Sequence, residues 1–183
     1  MQSKDKRIQL TSSLILIVVA IVYVGVLPAI AYSLPDPNQL QGGERFMYTD
    51  NASIVPTDGW HLDSSLSSLM LTILEKSGTK LTLTVPYTSV RSIEEVIQGA
   101  IDGFKNDTST DWLIDEPVYF ETEAGVPAGF VIAHSLNSVS GAYIISDGNY
   151  TVSVLAGASD SSWVANHDDV EQMVNSIQVD WSP

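Results

Sequence analysis

The chain has 183 residues, no cysteine, and 22 acidic against eight basic side chains, a formal charge of −14. With 44% hydrophobic and 16% charged residues it is too apolar for a disordered chain, and without cysteine it excludes disulfides, thiolate metal sites, a thiol nucleophile and a lipid-modified cysteine. The acid excess argues against a nucleic-acid partner and points first to solubility, then to cations or a basic partner.

Residues 1–9 hold Lys4, Lys6 and Arg7 with one acid, Asp5, so five basic and 21 acidic residues follow and the remainder carries a formal charge of −16. Residues 10–32 contain no charge, and Leu14 to Tyr32 include 12 Leu, Ile or Val. As a helix those 19 residues span roughly 28 Å, the thickness of a bilayer's hydrocarbon core. Insertion is favoured along the whole segment, which has no polar stripe of the kind a soluble helix would show. The positive residues before it stay cytoplasmic, which predicts a single-pass signal anchor in the cell membrane with the C-terminal domain outside. Ala29-Ile30-Ala31 also fits a signal-peptidase site, so secretion after cleavage at Ala31 is the alternative.

Residues 33–45, with two prolines and a glycine pair, read as a linker, and residues 46–183 as one extracytoplasmic domain. Ala52–Pro56 is a short strand candidate, followed by the turn Thr57-Asp58-Gly59 and then Trp60, a core residue. Leu69–Glu75 and Lys80–Val85 form a predicted hairpin, the second with Leu81, Leu83 and Val85 on one side. Ser92 and Glu95 make a capping box, and Ile93, Val96, Ile97, Ala100, Ile101 and Phe104 then line one helical face. Residues 107–115 read as a loop. Val118–Glu123, Ala128–Ser135, Ala142–Ser146 and Asn149–Ala158 are four more strands, turning at Ala124-Gly125 and Asp147-Gly148. Asn166 is the predicted cap of a second helix with Asp168 and Asp169 in its first turn and Val170, Met173, Val174 and Ile177 buried. The expected fold class is α+β: an antiparallel sheet of about six to seven strands with two main helices, behind one N-terminal transmembrane helix.

This order of elements, the Asp58-Gly59-Trp60 turn after a short first strand, and the ending Val170-Glu171-Gln172-Met173-Val174-Asn175-Ser176-Ile177 resemble the PsbP-like fold over about residues 46–179. Envelope proteins of actinobacteria include members of it. The resemblance implies a binding or accessory role and not an enzyme; it carries over no ligand residues.

His61, His134 and His167 lie far apart in sequence with none of the short spacings of a zinc site, and His134 reads as a strand-end residue with a hydrogen-bond partner. No nucleophile elbow or Ser-x-x-Lys pattern occurs. The oxygen-rich stretch Asn106–Asp111 with Asp115-Glu116 lacks the glycine and terminal glutamate of a calcium loop. No catalytic, cofactor or metal residue is assigned. Trp112, flanked by Asp111 and Asp115 in a loop, is the candidate contact for a protein partner. The expected function is a membrane-anchored, non-enzymatic binding or accessory module of the cell envelope. The alternatives are a small-ligand or cation carrier and a hydrolase with a dispersed site.

Overall fold

The structure, a computed structural model, describes residues 36–180. The expected transmembrane segment 10–32 and Trp181 lie outside the described residues. Among the described residues no helix is long and apolar enough to cross a membrane. Every element below belongs to the unit Asn38–Pro183.

Two strands open the fold, β1 (Phe46–Thr49) and β2 (Ala52–Ile54), followed by β3 (His61–Leu62) and the hairpin β4 (Leu71–Lys76) and β5 (Thr79–Thr84). A short β6 (Tyr87–Thr88) leads to α1 (Ile93–Asn106). Then come β7 (Leu113–Ile114), β8 (Val118–Glu121), β9 (Pro127–His134), β10 (Ser138–Ser146) and β11 (Tyr150–Ser159), and finally α2 (Asp160–Asn175) and β12 (Gln178–Val179). Nine strands form one sheet in the order β3-β4-β5-β11-β10-β9-β7, with β6 beside β11 and β8 beside β9; β1-β2-β12 form a second. Every pairing is antiparallel. The expectation of six to seven strands is therefore too low. The strands it missed are chiefly β3, β6, β7 and β12, two residues each, too short to display an alternating pattern.

Strand alternation decides which side of the large sheet each helix covers. Val139, Tyr143 and Ile145 of β10 join Val152 and Val154 of β11, Leu81 and Leu83 of β5, and Leu74 of β4 in the main core, closed by Trp163, Val170, Met173 and Val174 of α2. The other side of β10, Ala142 and Ile144, meets Val131 of β9 and the α1 stripe Ile97 and Ile101. Strand β10 is thus buried on both faces. Beyond α1's cover the sheet faces outward over β4, β5 and β11, where Leu155 is exposed.

The local reasons are specific. In α1 both halves of the Ser92–Glu95 capping box are made, Glu95 N donating to Ser92 Oγ (3.3 Å) and Ser92 N to Glu95 Oε2 (3.0 Å). The β4–β5 hairpin turns through Ser77 and Gly78, both at positive φ, as a two-residue hairpin requires. Trp60 is fully buried, its Nε1 donating to Thr57 Oγ1 at 3.0 Å. Residues 38–43, expected as linker, are fastened to the domain: Leu62 N donates to Asn38 O, Leu40 N to Trp60 O and Gly43 N to Pro56 O.

Helix α2 starts earlier than expected. Its N-cap is Ser159, in extended conformation, whose side chain accepts from Ser162 N. Asn166 lies inside the helix and is 3% exposed; its Nδ2 donates to Thr79 Oγ1 and to Ser162 O, both at 3.0 Å. A polar first turn, Asp160-Ser161-Ser162, had disguised the helix start as loop. Asp169 is likewise mid-helix and pairs with Lys76.

Candidate functional site

An aromatic cleft lies between the sheet and α2. Strands β8, β9 and β10 run side by side, with Phe120 opposite Ala128, and Phe130 opposite Tyr143. Alternation puts Phe120, Phe130 and Tyr143 on the α2 side. Phe130 and Tyr143 rings are 5.2 Å apart and tilted by 32°, while Phe120 meets Phe130 edge-on at 6.1 Å. From above, α2 presents Glu171, Val174 and Asn175, spaced i, i+3 and i+4 and so on one helical face. These six residues line a half-open cleft of about 150 Å³, a volume comparable to a cavity that accommodates benzene.

The polar groups of the cleft are unusual. Among the described residues only three buried side-chain polar atoms lack a hydrogen-bond partner within the protein, and two of them, Tyr143 Oη and Asn175 Oδ1, belong to residues that line this cleft. Tyr143 is 1% exposed. Its burial raises the phenol pKa far above the ordinary range, and the nearby Glu171 carboxylate adds to the shift, so the hydroxyl stays neutral. A buried polar atom left unpaired costs about 1–3 kcal/mol. Glu171 sits at the rim with its side chain 47% exposed and Oε1 3.3 Å from His167 Nε2.

Gly141 helps to set the Tyr143 ring. A Cβ there would lie 3.0 Å from Tyr143 Cε2 and 3.2 Å from the Trp163 ring, so glycine leaves the space these aromatics occupy. The cleft therefore has three aromatic walls, a neutral hydroxyl, an amide oxygen and a carboxylate. That set can bind and orient. It contains no serine, cysteine or lysine that a base could activate.

Of the residues singled out from sequence, Trp112 lies on the other side of the sheet, against α1. Trp112 packs on Phe104 of α1 with ring centroids 5.4 Å apart, and its Nε1 donates to Asp107 Oδ2 at 3.0 Å. It is half-buried, not free-standing. Asp111 and Asp115 are exposed, and Asp115 Oδ2 is 3.1 Å from His134 Nε2, the expected partner at a strand end. The oxygen-rich loop is organised by its own contacts: Asp107 Oδ1 accepts from Ser109 N and Oγ. These bonds, that to Ser109 Oγ first and that to Trp112 next, lower the Asp107 carboxyl to about 2. Among the described residues no group of three or more His, Asp or Glu converges to hold a metal ion.

The cleft was missed from sequence because Phe120, Phe130 and Tyr143 are brought together by strand register. The available signal was modest: aromatic residues at inward positions of adjoining strands.

No protein-family model matches the chain, and no curated protein is similar to it in sequence. Solved structures match its fold. The cyanobacterial PsbP protein CyanoP of Synechocystis aligns over 80% of this chain and 99% of its own, with a TM-score of 0.53 at 9% identity. The Ran-binding protein Mog1p of Saccharomyces cerevisiae aligns over 75% of this chain and 96% of its own, with a TM-score of 0.52 at 13% identity. A mutant form of Mog1 aligns over 76% and 96%, with a TM-score of 0.53 at 12% identity. The domain has the PsbP-like fold, as the element order and the Gly59-Trp60 turn suggested.

Proposed function

We propose that this chain is a non-enzymatic binding module of a cell envelope. In this reading residues 10–32 hold it at the membrane with the domain outside, and the cleft around Tyr143 and Asn175 receives a ligand or a side chain of a protein partner. The observation that carries the proposal is the coincidence of two unpartnered buried polar atoms in one aromatic hollow. An aromatic hollow with a few convergent polar groups is the usual form of a binding site. Likeness in fold to a Ran-binding protein supports a protein partner of unknown identity. Lys4, Lys6 and Arg7 before an uncharged apolar run support the outward orientation, with release by cleavage at Ala31 as the alternative form.

The test is site-specific photocrosslinking of the full chain in its native membrane. A benzophenone amino acid at Glu171, on the rim, is expected to give a discrete adduct that the same probe at Gln98, on exposed α1 surface, does not. Equal labelling at both positions, or none at Glu171, overturns the cleft as the contact. Protection of the domain from externally added protease in intact cells overturns the outward placement.

A second contact surface is favoured by one observation: Leu113, next to Trp112, is 72% exposed between the exposed acids Asp111 and Asp115. An exposed apolar side chain flanked in sequence by two carboxylates suits a basic, partly apolar partner segment. The same crosslinker at Leu113 tests it, a partner adduct supporting the surface and its absence removing it.

A further inference from the structure

We propose that the cleft selects an organic cation, an ammonium or guanidinium group carried on a short apolar stem. This rests on the reading of the cleft as the binding site and names the chemistry it takes.

Four features converge on that class. The walls are the rings of Phe120, Phe130 and Tyr143, which favour an apolar stem and attract positive charge to their faces. Glu171 supplies a full negative charge at the rim, and it belongs to the same helical face as Asn175. Asn175 adds an amide whose oxygen can accept from an N–H. Tyr143 Oη, held neutral, can accept from an N–H while donating its own proton to a carboxylate or water. An ammonium brings three N–H donors and no acceptor, which complements this set; a carboxylate or phosphate would meet Glu171 with like charge. The charge of the exported part points the same way, since five basic residues face 21 acidic ones and the field draws cations in.

About 150 Å³ gives room within the cleft for a benzene-sized body. Two sources share this chemistry: a free small amine, and a lysine or arginine side chain of a partner inserted from the open side.

The experiment is an NMR titration of the full chain in detergent micelles with benzylammonium, and with benzyl alcohol as the neutral analogue of similar shape. Benzylammonium is expected to shift the resonances of Tyr143, Glu171 and Asn175 and to bind at least tenfold tighter than benzyl alcohol. Glu171→Gln keeps shape and removes charge at an exposed rim position, so its spectrum stays native while the preference for the cation disappears. Equal affinity for the two probes overturns the cation proposal and leaves the cleft a binding site. No shift at these residues with either probe overturns both readings. The source is separated by a peptide with a single lysine against its norleucine form and against free butylammonium. Tighter binding of the lysyl peptide assigns a partner's side chain, and tighter binding of the free amine assigns a small ligand. Indifference to lysine or norleucine, with no binding of butylammonium, overturns the proposal.

Discussion

Asn166 Nδ2 donates to Thr79 Oγ1 across 3.0 Å, joining the inside of α2 to the β4–β5 hairpin through two residues that are both buried. The same amide reaches Ser162 O, and Thr79 Oγ1 donates to Ser162 O at 3.3 Å, so one closed polar cluster registers helix against sheet. Replacing Asn166 with Ala removes the amide, leaves a small void and loses its bonds to Thr79 Oγ1 and Ser162 O. The expected loss is about 1–3 kcal/mol by urea unfolding, whereas Val164→Ala, on the exposed face of the same helix, should stay within about 0.5 kcal/mol. Similar values for the two variants would show that the cluster does not hold the helix in place.

Gly129 leaves the space that Ile97 of α1 and Tyr119 of β8 fill against the sheet. A Cβ there would fall 2.6 Å from Ile97 Cδ1, 2.9 Å from Tyr119 Cδ1 and 3.2 Å from the Val118 carbonyl oxygen. The side chains can yield but the β8 backbone cannot do so without loosening its ladder. Gly129→Ala is therefore expected to destabilise by about 1–3 kcal/mol, and the double variant with Ile97→Val should lose less than the two single effects combined, because the shorter side chain clears the added methyl.

The Asp107 carboxyl titrates at about 2, held down by hydrogen bonds from Ser109 and Trp112. Its folded pKa is depressed, so whatever these bonds contribute is fully present above the unfolded carboxylate range near 4 and is lost as pH falls towards 2. The Trp112 Nε1–H resonance reports this directly, since that proton is donated to Asp107 Oδ2. Its shift is expected to follow a single titration centred near pH 2 that Asp107→Asn abolishes. A midpoint near 4 would mean that the loop bonds are not maintained in solution.

How much of this could be read from sequence depended on where the causes lay. Helix α1 was legible to its N-cap because Ser92, Glu95 and the stripe from Ile93 to Phe104 are local signals that agree. The β4–β5 hairpin was legible for the same reason, with Gly78 and the Leu81–Leu83 alternation close together. The start of α2 was not, because Ser159 and Asn166 both resemble caps and only the tertiary bond to Thr79 shows that Asn166 is a core residue. The cleft was hidden more deeply. Its walls depend on the β8–β9–β10 register, and its chemical interest depends on two hydrogen bonds that are not made, which no pattern of letters encodes.

Those missing bonds yield the sharpest prediction. The Tyr143 hydroxyl has no partner within the protein, so removing it costs no protein hydrogen bond and ends a desolvation penalty. Tyr143→Phe keeps the ring against Phe130 and over Gly141, so packing is unchanged. The ligand-free variant is then expected to match the wild type or exceed it by about 1–3 kcal/mol in unfolding free energy. Most Tyr→Phe changes at buried, hydrogen-bonded tyrosines run the opposite way, because they strand a partner. The gain should vanish when a ligand occupies the cleft, since the wild type then recovers the bond the variant cannot make. A loss of stability in the ligand-free Tyr143→Phe protein would mean that water or a neighbour already pairs the hydroxyl, and would remove it from the groups this cleft can offer a ligand.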